Sequence, residues 1–106
     1  MQTTIHSNDF TLTDALENFI KQQVSQSMAK CSDKIESLKI RLKDVNDPKQ
    51  VKECSVEVRL AHQAPIVVSK RSDNAYASIR EAVSRASRTT LRRVKKRRVK
   101  KAGLQL

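Results

Sequence analysis

Leu38-Lys39-Ile40-Arg41-Leu42-Lys43 and Cys54-Ser55-Val56-Glu57-Val58-Arg59-Leu60 decide the fold, because each alternates apolar and polar residues with the period of a strand that has one dry face. Between them lies Asp44-Val45-Asn46-Asp47-Pro48-Lys49-Gln50, rich in turn formers, so the pair reads as a β-hairpin. Setting Leu38 opposite Val58, Ile40 opposite Val56 and Leu42 opposite Cys54 puts Lys39 opposite Glu57 and Lys43 opposite Glu53 on the other face. One register satisfies both faces, and it predicts cross-strand ion pairs contributing roughly 0.2–1 kcal/mol each. The lysines of this hairpin are therefore expected to be partners of glutamates and not the main anion site.

Upstream, Thr3-Thr4-Ile5-His6-Ser7 is β-branched and runs into Asn8-Asp9, which suggests a first strand ending in a turn. From Leu12 the period lengthens: Leu12, Leu16, Phe19, Ile20, Val24 and Met28 recur at steps of three and four, as on one side of an amphipathic helix. Thr11 or Thr13 can cap it, Asp14 and Glu17 suit the positive end of its dipole, and it should stop near Cys31-Ser32-Asp33. Downstream, His62-Gln63-Ala64-Pro65 breaks the alternation and Ile66-Val67-Val68-Ser69 reads as a fourth strand, with Pro65 tolerated at its start. Ser72 or Asp73 then caps a second helix whose apolar seam is Tyr76, Ile79, Val83, Ala86, Thr90 and Val94; beyond Gly103 helix is not expected. On that seam Tyr76 reads as a core residue before a base-stacking one. The order β-α-β-β-β-α implies an α+β fold, a four-stranded sheet with both helices packed on its dry face.

With 106 residues, 38% of them hydrophobic and no Trp, the chain can build one modest aliphatic core and no interdomain cleft. Its single glycine, Gly103, leaves no phosphate-cradling loop and no dinucleotide fingerprint. His6 and His62 stand apart from each other and from thiols or carboxylates in metal-ligand spacing, and Cys31 and Cys54 fall on apolar stripes, as reduced, buried small hydrophobes do. No enzyme, cofactor or metal site is therefore expected. Neither a bilayer-spanning run nor a leader pattern is present, so the sequence reads as soluble and cytoplasmic.

What the composition does offer is charge. The formal net charge is +11, and it sits in one place: residues 70–101 hold 13 Lys and Arg against Asp73 and Glu81, while the remainder is balanced. On a helical projection Arg85, Arg88, Arg92, Lys95 and Lys96 cluster opposite the apolar seam, forming a cationic ridge, with Arg80, Arg93, Arg97 and Arg98 as auxiliary contacts. Guanidinium forks suit phosphates. The small residues of the seam suit packing on a sheet better than insertion among lipids. With few aromatics and no helix-turn-helix or zinc-finger pattern, RNA read through its shape and backbone is the expected polyanion.

Two stretches carry a family likeness. Met1-Gln2-Thr3-Thr4-Ile5-His6-Ser7-Asn8-Asp9-Phe10-Thr11-Leu12-Thr13-Asp14-Ala15-Leu16 is similar to one family's opening strand, turn and Thr-acid-Ala-Leu helix start. Asn74-Ala75-Tyr76-Ala77-Ser78-Ile79 is similar to the Asp-x-Tyr-x-Ala-Ile start of its second helix, with Arg85, Arg88 and Arg92 where that helix carries basic residues. On these residues and their order the chain resembles the short ribosome hibernation-promoting factors, also called ribosome-associated inhibitors or sigma-modulation proteins. It departs in having Asn74 for the family's Asp, a second-helix seam thinned to Ala82, Ala86 and Thr90, and a denser basic tail.

The resemblance implies a ribosome-binding domain over residues 1–98, and from its own composition the segment 99–106 is expected to be a basic, flexible tail. It implies a non-catalytic protein, monomeric when free, that binds the small (30S) ribosomal subunit and its 16S rRNA. Lying in the channel of messenger and transfer RNA, it would exclude both and silence translation during stress or stationary phase. Long members carry a further dimerisation domain, for which this chain has no room. Two other readings stay open: a general RNA-binding or RNA-chaperone module without a fixed ribosomal site, and a regulator of an acidic protein partner such as a transcription factor.

Overall fold

The computed structural model describes residues 2–8, 12–45 and 51–103, and for residues 45 and 96–103 the backbone alone. The elements run β1 (Gln2–Asn8), α1 (Asp14–Ser27), a single 3-10 turn (Ser32–Lys34), β2 (Ile35–Val45), β3 (Val51–Leu60), β4 (Ile66–Ser72) and α2 (Ala75–Gly103). The expected order and architecture are present. Strand order in the sheet is β1-β2-β3-β4, antiparallel except for β1, which lies parallel to β2 because α1 carries the chain back across the sheet between them.

The hairpin register is the one its alternation dictates: Leu38 faces Val58, Ile40 faces Val56 and Leu42 faces Cys54. All six are at most 1% exposed and form the floor of the core. At the start of β2 the register slips by one residue between Ile35 and Ser37, leaving Glu36 as the extra residue of a bulge. That slip turns Ile35 inward, where it is buried, while Glu36 stays exposed.

The expected ion pairs do not form, although the register that suggested them does. Glu53 receives Arg71 Nε from β4 at 2.7 Å, and Glu57 is engaged by Arg59, two residues along its own strand, at 3.7 Å. An arginine fork on a neighbouring strand or on the same strand face competes with a lysine directly opposite, and here it wins. Lys39 and Lys43 are left without a hydrogen bond or ion pair among the described residues.

Above the sheet, α1 buries Leu16, Ile20 and Val24, with Met28 at its C-cap; Leu12 and Phe19 pack at the margin. Thr13 is its cap, the hydroxyl accepting the Leu16 N–H at 3.1 Å; Thr11 lies outside the described residues. The cap of α2 falls later than Ser72 or Asp73: Asn74 Oδ1 accepts the Tyr76 N–H at 2.8 Å, and Ser72 Oγ accepts the Asn74 N–H at 3.3 Å. Three successive capping residues make the boundary ambiguous in sequence, and the polar turn after β4 selects the last.

Tyr76 also departs from expectation. It is 38% exposed, and its ring stands edge-on to Phe19 with centroids 4.9 Å apart, closing the rim between the helices and not entering the core.

Cys31 and Cys54 are free and buried, as the apolar stripes imply. Burial, and secondarily the Glu53 charge, pushes the Cys54 thiol from its ordinary 9 up to about 12; Cys31 is raised too, by burial and then by Asp33. At a pH of about 8, the Cys54 thiolate is then rarer by a factor on the order of a thousand than in an unfolded chain. Reaction of Cys54 with dithionitrobenzoate is expected to be at least ~100-fold slower in the folded protein than in guanidinium; a fast native reaction would contradict this burial. Because the folded thiol keeps its proton where the unfolded one has lost it, stability falls as pH rises from about 9 towards 12.

Candidate nucleic-acid interface

The buried seam of α2 fixes its azimuth on the sheet. Ile79, Ala82, Val83, Ala86 and Thr90 are fully buried, and the helix packs on β3, β4 and α1. The thin seam lets the helix sit close to the sheet, and the one polar member, Thr90, returns its hydroxyl to the Ala86 carbonyl at 2.8 Å. Two further ties reach other elements. Ser87 Oγ donates to the Ser27 carbonyl at the end of α1, and Arg93 Nη1 donates to the Ala64 carbonyl in the β3–β4 turn at 2.7 Å. That turn holds His62 at φ 60°, the left-handed region, so it is a sharply shaped feature for the helix to grip.

With the seam turned down, the opposite face is turned out. Arg85, Arg88, Arg92 and Lys95 are all exposed, and none makes a hydrogen bond or ion pair among the described residues. From Arg85 to Lys95 the rise of an α-helix spans about 15 Å. Like charges this close, uncompensated by carboxylates, create a field that favours a polyanion.

Not all the sequence-predicted contacts gather here. Arg93 lies on a different side of the helix, and its guanidinium is committed to Ala64. Arg80 faces β4 instead, lining a groove of about 440 Å³ with Lys70, Glu81, Ser84 and Arg88. The α2 backbone continues helical through Gly103, but the side chains of Lys96, Arg97 and Arg98, and residues 104–106 of the basic tail, lie outside the described residues.

Lys70 and Ser84 were missed as candidates. Ile66, Val68 and Lys70 share one parity on β4, and a lysine in the sequel to two core residues signals a cation on the helix-facing side. A larger hollow, about 710 Å³ between β1 and α1, is lined partly by Ile5, Leu12, Val24 and Met28, and its charged members Glu17 and Lys21 neutralise each other at 3.3 Å. It has no excess of charge for an anion. Among the described residues no group of three or more His, Cys, Asp and Glu could hold a metal ion, and no helix is long and apolar enough to cross a membrane.

A one-sided two-helix cover on a four-stranded sheet, with bare cations along the outer side of the second helix, makes an α+β domain with one strongly cationic helix face. The chain belongs to the sigma 54 modulation protein / S30EA ribosomal protein family, whose sequence model matches residues 3–99, and this places it among ribosome-associated proteins. Its fold is similar to that of a ribosomal subunit interface protein from Coxiella burnetii, with a TM-score of 0.76 at 15% identity over 87% of this chain and 96% of that one. It is also similar to the N-terminal domain of Protein Y from Thermus thermophilus, with a TM-score of 0.71 at 18% identity over 87% and 98% of the two chains. No curated protein sequence matches the chain.

Proposed function

We propose that the protein is a translation inhibitor that binds the small ribosomal subunit, laying the α2 ridge along 16S rRNA in the channel of messenger and transfer RNA, so that both are excluded. The observation that carries this reading is the row Arg85, Arg88, Arg92 and Lys95, exposed and unneutralised among the described residues, on a domain of a ribosome-associated family. The groove of Lys70, Arg80 and Arg88 extends the row sideways, and the Ser84 hydroxyl beside it can donate to a phosphate oxygen. Nothing in this account requires a catalytic step: occupancy alone blocks the channel, in the cytoplasm where ribosomes work.

One observation favours a second reading, a general RNA-binding module. The ridge contains no aromatic or amide side chain with which to read a base, so its phosphate contacts carry no sequence information.

Sedimentation with purified 30S particles separates the two. Under the first reading the protein co-migrates with 30S at physiological salt, is released when messenger and initiator transfer RNA are added together, and binds less tightly as salt rises. Equal affinity for any transcript or duplex would establish the second reading in its place.

A further inference from the structure

Both helices lie on one side of the sheet, so its other side is bare. On that side β2 presents Lys39, Arg41 and Lys43 in a line, at alternate positions roughly 6.6 Å apart. None of the three has a hydrogen bond or ion pair among the described residues. The two acids that could have neutralised them, Glu53 and Glu57, are held by Arg71 and Arg59 on the same face. At the paired positions of this face, among the described residues, Lys39, Arg41, Lys43, Arg59 and Arg71 therefore stand against Glu53 and Glu57, and the surplus is concentrated on one central strand.

The surroundings suit a phosphate backbone. In the parallel pairing, Thr4, His6 and Asn8 of β1 stand beside Lys39, Arg41 and Lys43, and on the other flank Ser55 is opposite Arg41. These are short hydrogen-bonding side chains next to each cation. Lys39, Arg41, Ser55, Arg59 and Val67 line a shallow hollow of about 270 Å³ with Glu57, and Val67 is 63% exposed there, an apolar spot against which a ribose can rest. Among the described residues no Phe or Tyr stands at a paired position on this side for bases to stack on, which favours a contact to the backbone.

The α2 ridge faces away from this surface, with the helix and the sheet between them, and the shorter dimensions of the domain are 27 and 19 Å. A single RNA helix that lies along one surface does not reach the other. We propose that the outer sheet face is a second RNA-backbone surface, so that the domain lodges between two RNA segments, with the ridge against one and the Lys39-Arg41-Lys43 line against the other. This rests on the reading of the ridge as an RNA-binding surface.

The test uses the full chain and a short RNA duplex in two preparations, one labelled with a donor and one with an acceptor fluorophore, at low salt and with RNA in excess. Two duplexes per chain and energy transfer between them are expected. Changing Lys39→Gln, Arg41→Gln and Lys43→Gln together should remove the second duplex and the transfer while altering affinity for the first by less than about twofold. Lys39→Arg with Lys43→Arg should keep both duplexes, which separates lost charge from a disturbed strand; thermal melting of each variant checks the fold. Arg88→Glu with Arg92→Glu should instead leave one duplex, bound by the sheet. A wild-type chain that takes a single duplex, lost in the ridge variant, overturns the second surface and leaves the ridge reading standing. No duplex bound by the wild-type chain overturns both. A triple glutamine variant that still bridges two duplexes but no longer binds a poly-glutamate peptide bound by the wild-type chain overturns the RNA assignment in favour of an acidic protein partner.

Discussion

Arg88→Glu combined with Arg92→Glu is expected to weaken binding to 30S particles at least tenfold, and to flatten the dependence of binding on salt, while leaving the fold intact. Both side chains are exposed and unpaired among the described residues, so no native contact is removed. Glutamate forms helices about as well as arginine, and the unfavourable placement of negative charge along the later turns of α2 costs at most about 1 kcal/mol. On the binding side each change removes a charge-assisted contact, typically ~1.5–3 kcal/mol, and adds repulsion of the phosphate it faced. Since about 1.4 kcal/mol is a factor of ten in affinity, even one such loss meets the expected effect. Cosedimentation across a salt series reads both quantities. Affinity unchanged in this variant, with an intact melting transition, would reject the ridge as the binding site.

The largest effect on stability is expected from Ile40→Ala. Ile40 is fully buried at the middle of β2, with Ile5 of β1 on one side and Val56 of β3 on the other. Removing three carbons there forfeits their transfer free energy and leaves a cavity that two neighbouring strands prevent from closing, which together cost about 2–5 kcal/mol. A domain of this size has about 5–15 kcal/mol in total. Urea denaturation should show the midpoint falling in proportion to that loss with little change in slope, and RNA binding should follow the folded fraction. A loss below about 1 kcal/mol would mean that the site relaxes around the gap.

How much of this was legible depended on whether the determinant was periodic. The alternation from Leu38 to Lys43 and from Cys54 to Leu60 contains its own register, because any slip would bury lysines, and that register is present. The seam of Ile79, Val83, Ala86 and Thr90 likewise fixed which side of α2 would be bare, and Arg85, Arg88, Arg92 and Lys95 are there. Local and aperiodic features were harder to read. The bulge at Glu36 needs only one extra residue and leaves no pattern. The partners of Glu53 and Glu57 could not be chosen from opposition alone, because Arg71 comes from a strand whose offset the hairpin does not set. Arg93 was indistinguishable from its cationic neighbours, since what sets it apart is a carbonyl 29 residues earlier in the chain. The groove of Lys70, Arg80 and Arg88 likewise exists only once β4 and α2 have docked.

The tie from Arg93 to Ala64, together with the bond from Ser87 to Ser27, acts as a pair of set-screws on a shaft. Turning α2 by one residue would swing its cations by about 100° towards the sheet, and both bonds would have to break for that to happen. On the proposed reading, folding thus aims the helix before any RNA arrives. The orientation need not be won during the encounter, which leaves association to be governed by electrostatic attraction and diffusion.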